Sequence, residues 1–277
     1  MKFYIDIVRK IPAFLYLKLK ALKKQNLIIG SIPIFENSKI QFKGCNNILY
    51  CEDGVKIRNS NIVFKGDNSL IFLKKGKYNL DVDIYNNSTL YIGENNYFHP
   101  HLINTKIILS EEKNVFIGND NIISLNCFIR TADPHLIYDT NTKERLNYSK
   151  SVYIGDHIWL GQGTTILKGT QIHSGAIVGA KSLVSNKVIS SNTVWGGNPA
   201  KLIKKDIFWE PKSVHSWQKT DTEQYRYYEN DDFIYTKEET SVDFNLIEQN
   251  LSNLSHPAGK IEYLKNLSDK KNRFSLS

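Results

Sequence analysis

The chain contains 277 residues, of which 41% are hydrophobic, and carries a formal net charge of +8. This size and composition allow one large or two modest domains with a substantial core, and the charge indicates an anionic partner such as phosphate, an acidic glycan or a membrane surface. The three cysteines are too few and too irregularly spaced for a disulfide framework or a zinc site, which favours a reducing compartment.

Residues 1–29 carry apolar side chains at helical spacing, with lysines and arginines distributed around them. The pattern predicts a basic amphipathic helix that is kinked or broken at Pro12. We favour a cap on the open end of the following domain as its role; docking to the anionic surface of the inner membrane is the alternative. No apolar run reaches the roughly 18 residues that span a bilayer, and no signal-peptide cleavage site follows, so we expect a cytoplasmic protein.

Residues 30–205 contain repeats that predict a solenoid. The segment 37–44 returns at 59–66 and, more loosely, at 87–93, each time with an Asn-Ser pair before a short β-type run. From residue 154 onward an aliphatic side chain occupies every sixth position, at Ile154, Leu160, Ile166, Ile172, Val178 and Val184. A six-residue period is typical of a parallel β-helix, in which each unit forms one side of a triangular coil. We therefore predict an all-β fold.

A polar loop at residues 133–150 interrupts this solenoid, and such excursions from a rigid scaffold are where binding and catalytic residues concentrate. After residue 205 the repeat ends. Residues 206–277 contain an aromatic-rich segment and then apolar positions at helical spacing, which predict an appendage packed on the solenoid. The final stretch is rich in Lys, Ser and Asn, and we expect it to be poorly ordered.

Four motifs between residues 133 and 201 resemble those of the left-handed β-helix acyltransferases. The likeness is to the galactoside and xenobiotic acetyltransferase branch and to the sugar O-acetyltransferases of bacterial surface-polysaccharide clusters. The motifs are Asp133-Pro134-His135, IGDHIWLG at 154–161, VGAKS at 178–182 and GNPAK at 197–201. The resemblance covers about residues 90–205. It implies a left-handed parallel β-helix, acetyl-CoA as co-substrate, and a homotrimer with its sites between subunits.

By this resemblance His135 is the general base, since it stands in the place of the family's loop histidine, 24 residues before Trp159. The role suits the chemistry, because a sugar alcohol must lose its proton as it attacks a thioester and an imidazole titrates near neutral pH. No Cys or Ser nucleophile is needed, so we expect direct transfer without an acyl-enzyme. Asp133, in the same loop, is a candidate for orienting the imidazole.

The family pattern also places Asn104 and Glu112 where related enzymes bind the acceptor sugar. Glu112 stands in for an aspartate and has Glu111 beside it. Two roles stay open for the carboxylate: it binds sugar hydroxyls, or it orients the imidazole of His135.

For coenzyme A, the resemblance assigns backbone groups at Gln162 and Ala180 to the pantetheine arm. Trp159 flanks the thioester end, where donor and acceptor meet, and Lys201 and Lys204 match the positions that contact the nucleotide phosphates. We expect these residues to line a groove shared by adjacent subunits.

The leading functional hypothesis is an acetyl-CoA-dependent O-acetyltransferase acting on a sugar hydroxyl of a bacterial surface glycan, such as a capsule, a lipopolysaccharide or a sialylated chain. Two alternatives remain: an N-acetyltransferase of a nucleotide-linked amino sugar, and a non-catalytic solenoid scaffold or glycan-binding module. The 22- and 16-residue intervals between His135, His157 and His173 do not match the carbonic anhydrases of this fold, so we expect no metal. Nucleic acid is not an expected partner.

Overall fold

The chain forms a triangular parallel β-solenoid followed by a helical C-terminal part. The computed structural model describes residues 25–100 and 104–277. The helix predicted within residues 1–29 lies outside the described residues except for its last five positions, where the first strand begins at Leu27. Within these ranges, no helix has the length and apolar character needed to cross a bilayer.

Three sheets form the sides of the triangle. The first sheet contains β1 (Leu27–Gly30), β4 (Ile48–Cys51), β7 (Leu70–Leu73), β10 (Thr89–Ile92), β13 (Val115–Ile117), β16 (Val152–Ile154), β19 (Gln171–Ile172) and β22 (Val188–Ile189). The second contains β2 (Ile34–Glu36), β5 (Lys56–Arg58), β8 (Lys77–Tyr78), β11 (Tyr97–Phe98), β14 (Ile122–Ile123), β17 (Trp159–Leu160), β20 (Ile177–Val178), β23 (Val194–Gly197) and β24 (Ala200–Lys204). The third contains β3 (Lys39–Phe42), β6 (Asn61–Phe64), β9 (Leu80–Ile84), β12 (Thr105–Leu109), β15 (Phe128–Arg130), β18 (Thr165–Ile166) and β21 (Leu183–Val184).

Each coil adds one strand to every sheet, and the described residues form seven complete coils. Neighbouring strands pair in parallel, except that β24 runs antiparallel to β23. The aliphatic positions of the six-residue repeat are all 0% exposed, so they fill the axis of the solenoid as predicted. The prediction of a parallel β-helix is therefore confirmed.

The asparagines of the repeats mark the corners between sheets. Asn37, Asn59 and Asn87 have φ values of 46°, 45° and 55°, a left-handed conformation that asparagine adopts more readily than most residues. The segments 37–44 and 59–66 lead into adjacent strands of the third sheet, whereas 87–93 contains β10 of the first sheet. The Asn-Ser pair thus identifies a corner but not which of the three corners it is.

The C-terminal part covers the outer face of the first sheet. Five aromatic side chains from successive coils form a ladder there: Tyr50, Phe72, Tyr91, Phe116 and Tyr153. After a short helix α1 (Lys219–Gln224), the helices α2 (Phe244–Asn253) and α3 (Pro257–Lys265) pack their apolar sides on this ladder. Burial of that large apolar surface is what holds the helices in place.

The end of the chain also packs against the solenoid, where composition led us to expect poor order. Arg273 is 1% exposed and makes a two-pronged ion pair with Asp156, with Nε–Oδ2 and Nη2–Oδ1 distances of 2.7 and 2.8 Å. His157 stacks on Trp209, with ring centroids 3.9 Å apart, and its Nε2 lies 2.9 Å from the Trp209 carbonyl oxygen. Two residues of the 154–161 motif therefore anchor the C-terminal part.

Candidate active site

The long loop leaves the corner between the third and first sheets, which we call the loop corner. It starts after β15 ends at Arg130 and returns to β16 at Val152. Within it the chain doubles back on itself: Leu146 N donates to Ile137 O at 2.9 Å, and Asp139 N donates to Glu144 O at 2.9 Å. The loop is thus a folded hairpin with a defined geometry.

A carboxylate on the neighbouring coil holds one side of this hairpin. Glu111 Oε1 lies 2.8 Å from Arg145 Nη1, and its Oε2 accepts hydrogen bonds from Arg145 and Ser149. The hydrogen bonds from Arg145 and Ser149 lower the pKa of Glu111 to about 2. The carboxylate is therefore ionised, and the pairing maintained, throughout the neutral range.

Asp133 holds the other side. Its Oδ2 lies 2.5 Å from Lys168 Nζ and 3.1 Å from Asn147 Nδ2. The hydrogen bond from Lys168 lowers the pKa of the Asp133 carboxyl. The sequence suggested that Asp133 orients the imidazole of His135, but here the carboxylate is engaged by Lys168 and Asn147.

His135 itself is exposed, and its backbone is fixed by Asn147. Asn147 Nδ2 donates to His135 O at 2.7 Å and to Asp133 at 3.1 Å, while its Oδ1 accepts from Ile137 N at 3.0 Å. Asn147 is buried, so a single amide ties together the loop residues on both sides of the histidine. Sequence reasoning missed this residue, because one asparagine in a polar loop carries no pattern.

Glu112 lies at the loop corner, but it faces away from the hairpin. Its Oε1 accepts from Asn87 Nδ2 at 2.5 Å, on the preceding coil. Glu111 and Glu112 both have left-handed φ values, 52° and 59°, and this tight turn sends the two carboxylates in different directions. The carboxylate that contacts the loop is Glu111.

Asn104 lies at a different corner from His135. It directly precedes β12, where its Nδ2 donates to Asn59 O at 2.5 Å and lies 3.3 Å from Asp81. The His135 loop follows the opposite end of β15, the strand paired with β12. Within one chain the structure therefore does not bring Asn104 and His135 together.

The residues assigned to coenzyme A share the second sheet and the corner that follows it. Trp159 projects outward and is 41% exposed. Trp159 and Lys204 belong to one row of in-register residues that runs across β17, β20, β23 and β24. The two residues are three strand spacings apart, or about 14 Å. Gln162 and Ala180 are exposed on adjacent coils at the next corner, and Lys201 is exposed on β24. These five residues form one continuous face.

The imidazole and this face belong to different parts of the triangle. His135 is at the loop corner, whereas Trp159 is on the outer side of the second sheet, with the third sheet between them. One chain alone thus presents the two groups separately.

The other two histidines considered for a metal site have structural partners. Burial lowers the pKa of His157, and it lowers that of His173 to about 4, where Nδ1 lies 3.1 Å from Phe274 O. Among the residues that the structure describes, no cluster of three His, Cys, Asp or Glu side chains could hold a metal ion.

Comparison with known proteins relates this chain to enzymes that acetylate polysialic acid. It is 51% identical over 113 residues to a polysialic acid O-acetyltransferase of Neisseria meningitidis, and 40% identical over 102 residues to one of Escherichia coli. These matches span 41% and 37% of this chain, and the chain spans only about half (53%) and a third (33%) of those two relatives. No family model matches.

Two solved structures match over a longer part of the chain. The crystal structure of the polysialic-acid-specific acetyltransferase NeuO has a TM-score of 0.59 and 30% identity, covering 73% of this chain and 93% of that one. The polysialic acid O-acetyltransferase OatWY has a TM-score of 0.57 and 28% identity, covering 74% of this chain and 100% of that one. The likeness therefore includes nearly all of both solved chains.

Proposed function

This chain belongs to the hexapeptide-repeat acyltransferases, and on that premise we propose that it transfers an acetyl group from acetyl-CoA to a sugar hydroxyl of a sialic-acid-containing surface glycan. The observation that carries the proposal is the 30% identity with a polysialic-acid-specific acetyltransferase over 93% of that enzyme's length. The exposed His135 on a rigidly held loop supplies the group that such a reaction needs.

In the proposed reaction the acceptor hydroxyl oxygen attacks the thioester carbonyl carbon while the His135 imidazole takes the hydroxyl proton. The new C–O bond forms, the C–S bond then breaks, and the imidazolium returns the proton to the departing sulfur. The products are the acetyl ester and coenzyme A with a free thiol. A positioned general base of this kind accelerates transfer about 10²- to 10⁴-fold.

We further propose that the working form is a homotrimer, in which the His135 loop of one copy faces the Trp159 side of the next. The separation of the two groups within one chain supports this arrangement. Gln162 and Ala180 would then hold the pantetheine arm, and Lys201 and Lys204 the phosphates. Residues 30–205 would form the acyltransferase domain and 206–277 the appendage.

The cytoplasm is the proposed location, because acetyl-CoA is a metabolite of that compartment. The positive net charge supports peripheral contact with the anionic inner membrane, where surface glycans are assembled. Residues 1–29 would supply that contact if they do not serve as the cap of the solenoid.

The direct test is thiol release from acetyl-CoA in the presence of an α2,8-linked sialic acid oligomer. His135→Ala should lower kcat by about 10²- to 10⁴-fold and leave the affinity for coenzyme A unchanged. His215→Ala, at an exposed histidine of the C-terminal part, is the matched control and should retain full turnover. Full turnover by His135→Ala would eliminate the general-base role, and transfer to amine acceptors alone would indicate an N-acetyltransferase.

A further inference from the structure

Arg130 is placed between the third sheet and the His135 loop. It is the last residue of β15, three positions before Asp133. Ile129 points into the core with 0% exposure, so Phe128 and Arg130 project outward on either side of it. In the parallel register Arg130 lies beside Ile108 and Phe128 beside Lys106. Arg130 therefore stands on the outer face at the edge from which the loop departs.

Three cations of this region already have carboxylate partners. Lys65 and Lys106 share Asp83, with N–O distances of 3.2 and 2.8 Å. Lys168 holds Asp133 at 2.5 Å. A ligand anion would have to displace a partner to reach any of these ammonium groups.

Arg130 differs from them, because its guanidinium makes no ion pair within residues 25–100 and 104–277. Its Nε is buried and lacks a hydrogen-bond acceptor among these described residues. A buried donor on a charged group is costly to leave unsatisfied, and native proteins seldom do so without a ligand or a function. One side of the guanidinium lies over the Phe128 ring, 5.8 Å from its centroid, which holds it in place by a cation–π contact.

We propose that Arg130 binds the carboxylate of an acidic sugar in the acceptor and so selects a polyanionic glycan. This inference rests on the proposed acetyl transfer to a sugar. The planar guanidinium matches a carboxylate with two parallel hydrogen bonds, which a lysine cannot reproduce. His135 follows five residues later, at most about 18 Å away along an extended chain. The carboxylate thus belongs to the reacting sugar or to one near it in the same glycan.

The test compares an α2,8-linked sialic acid oligomer with the same oligomer whose carboxylates have been reduced to neutral alcohols. For the unmodified protein we expect kcat/KM to be about 10- to 100-fold higher with the charged oligomer, the value of one charge-assisted contact. Arg130→Gln should abolish this preference by raising KM for the charged oligomer. Its kcat should stay within about twofold of the wild-type value, and kcat/KM for the neutral oligomer should not change. Arg130→Lys should restore only part of the preference, because lysine supplies the positive charge but not the two parallel hydrogen bonds of the guanidinium.

Arg58→Gln is the matched control. Arg58 lies on β5 of the second sheet and is paired with Glu36 at 2.7 Å, so its loss should leave the acceptor preference unchanged. Equal melting temperatures of the variants would show that the fold is intact.

Three results would overturn the role of Arg130. They are a wild-type protein without preference for the charged oligomer, an Arg130→Gln variant that keeps the preference, and a variant whose KM rises for acetyl-CoA, which would place Arg130 at the coenzyme phosphates. If no acetyl transfer occurs at all, the proposed function fails. Calorimetric titration with the charged oligomer then tests the carboxylate site at Arg130 on its own. Weaker binding by Arg130→Gln than by wild type supports the carboxylate site, and equal binding rejects it.

Discussion

Asn147→Ala is expected to disable the loop without unfolding the solenoid. The side-chain amide donates to His135 O and to the Asp133 carboxylate and accepts from Ile137 N. Alanine removes these contacts, together with a longer one from Arg145 Nε at 3.4 Å, and leaves a backbone carbonyl and a backbone N–H of the hairpin without their partner. None of these groups belongs to the apolar axis of the solenoid.

The size of the effect follows from the kinds of bond lost. An ordinary hydrogen bond contributes about 1 kcal/mol net, and one to a charged group about 1.5–3 kcal/mol. Water reaches His135 and Ile137 once the amide is gone, so we expect a loss of about 2–3 kcal/mol in the stability of the loop alone. A base displaced by about 1 Å costs roughly 10²-fold in rate, so kcat should fall by about that factor.

The assay combines kcat, the melting temperature and hydrogen exchange of the loop amides. Asn147→Ala should lower kcat about 10²-fold, accelerate exchange within residues 133–149, and leave the main melting transition within about 2 °C of wild type. Asn141→Ala, at an exposed position of the same hairpin, should change none of these quantities. Wild-type kcat together with unchanged loop protection in Asn147→Ala would refute the view that this amide positions the histidine.

Two further predictions concern the contacts that hold the C-terminal part. Burial lowers the pKa of His173 from 6.5 to about 4. The contribution of this residue to the free energy of unfolding is therefore complete above pH 6.5. It falls by on the order of 3 kcal/mol as the pH drops towards 4, because the unfolded chain binds the proton more readily. Urea unfolding at pH 7 and pH 4.5 should show a smaller loss for His173→Asn than for wild type or His215→Asn; an equal loss would assign the acid sensitivity to other groups. Arg273→Met should lower the free energy of unfolding by about 3–5 kcal/mol, because it leaves the buried Asp156 carboxylate without its cationic partner. Adding Asp156→Asn should recover part of that loss. Additive losses in the double variant would show that the two side chains do not stabilise each other.

The solenoid could be predicted because its signal is local and repeated. An aliphatic residue at every sixth position from Ile154 to Val184 has to face one axis, and each of those side chains is fully buried. The irregular coils before residue 150 gave a weaker signal, since their Asn-Ser pairs occur at more than one corner. The segment 87–93, for example, belongs to the first sheet, whereas the two segments that it resembles belong to the third sheet.

The details of the candidate site depend on contacts that no local pattern encodes. Glu111 and Glu112 are adjacent, and only the left-handed turn that contains them determines which carboxylate reaches Arg145. Asn147 matters through its burial against backbone groups 10 and 12 residues earlier in the chain. The partner of Asp156 is 117 residues away at Arg273, in a stretch whose composition resembles that of a disordered tail.

The way the chain covers its own surface limits where a second copy can bind. The aromatic ladder of the first sheet would be an exposed apolar surface of the solenoid, but helices α2 and α3 and Phe274 bury it. On the outer faces of the second and third sheets, Trp159 is exposed and Arg130 is half-buried in the described chain. The covered first sheet thus leaves the second and third sheets as the faces on which the proposed second copy could dock.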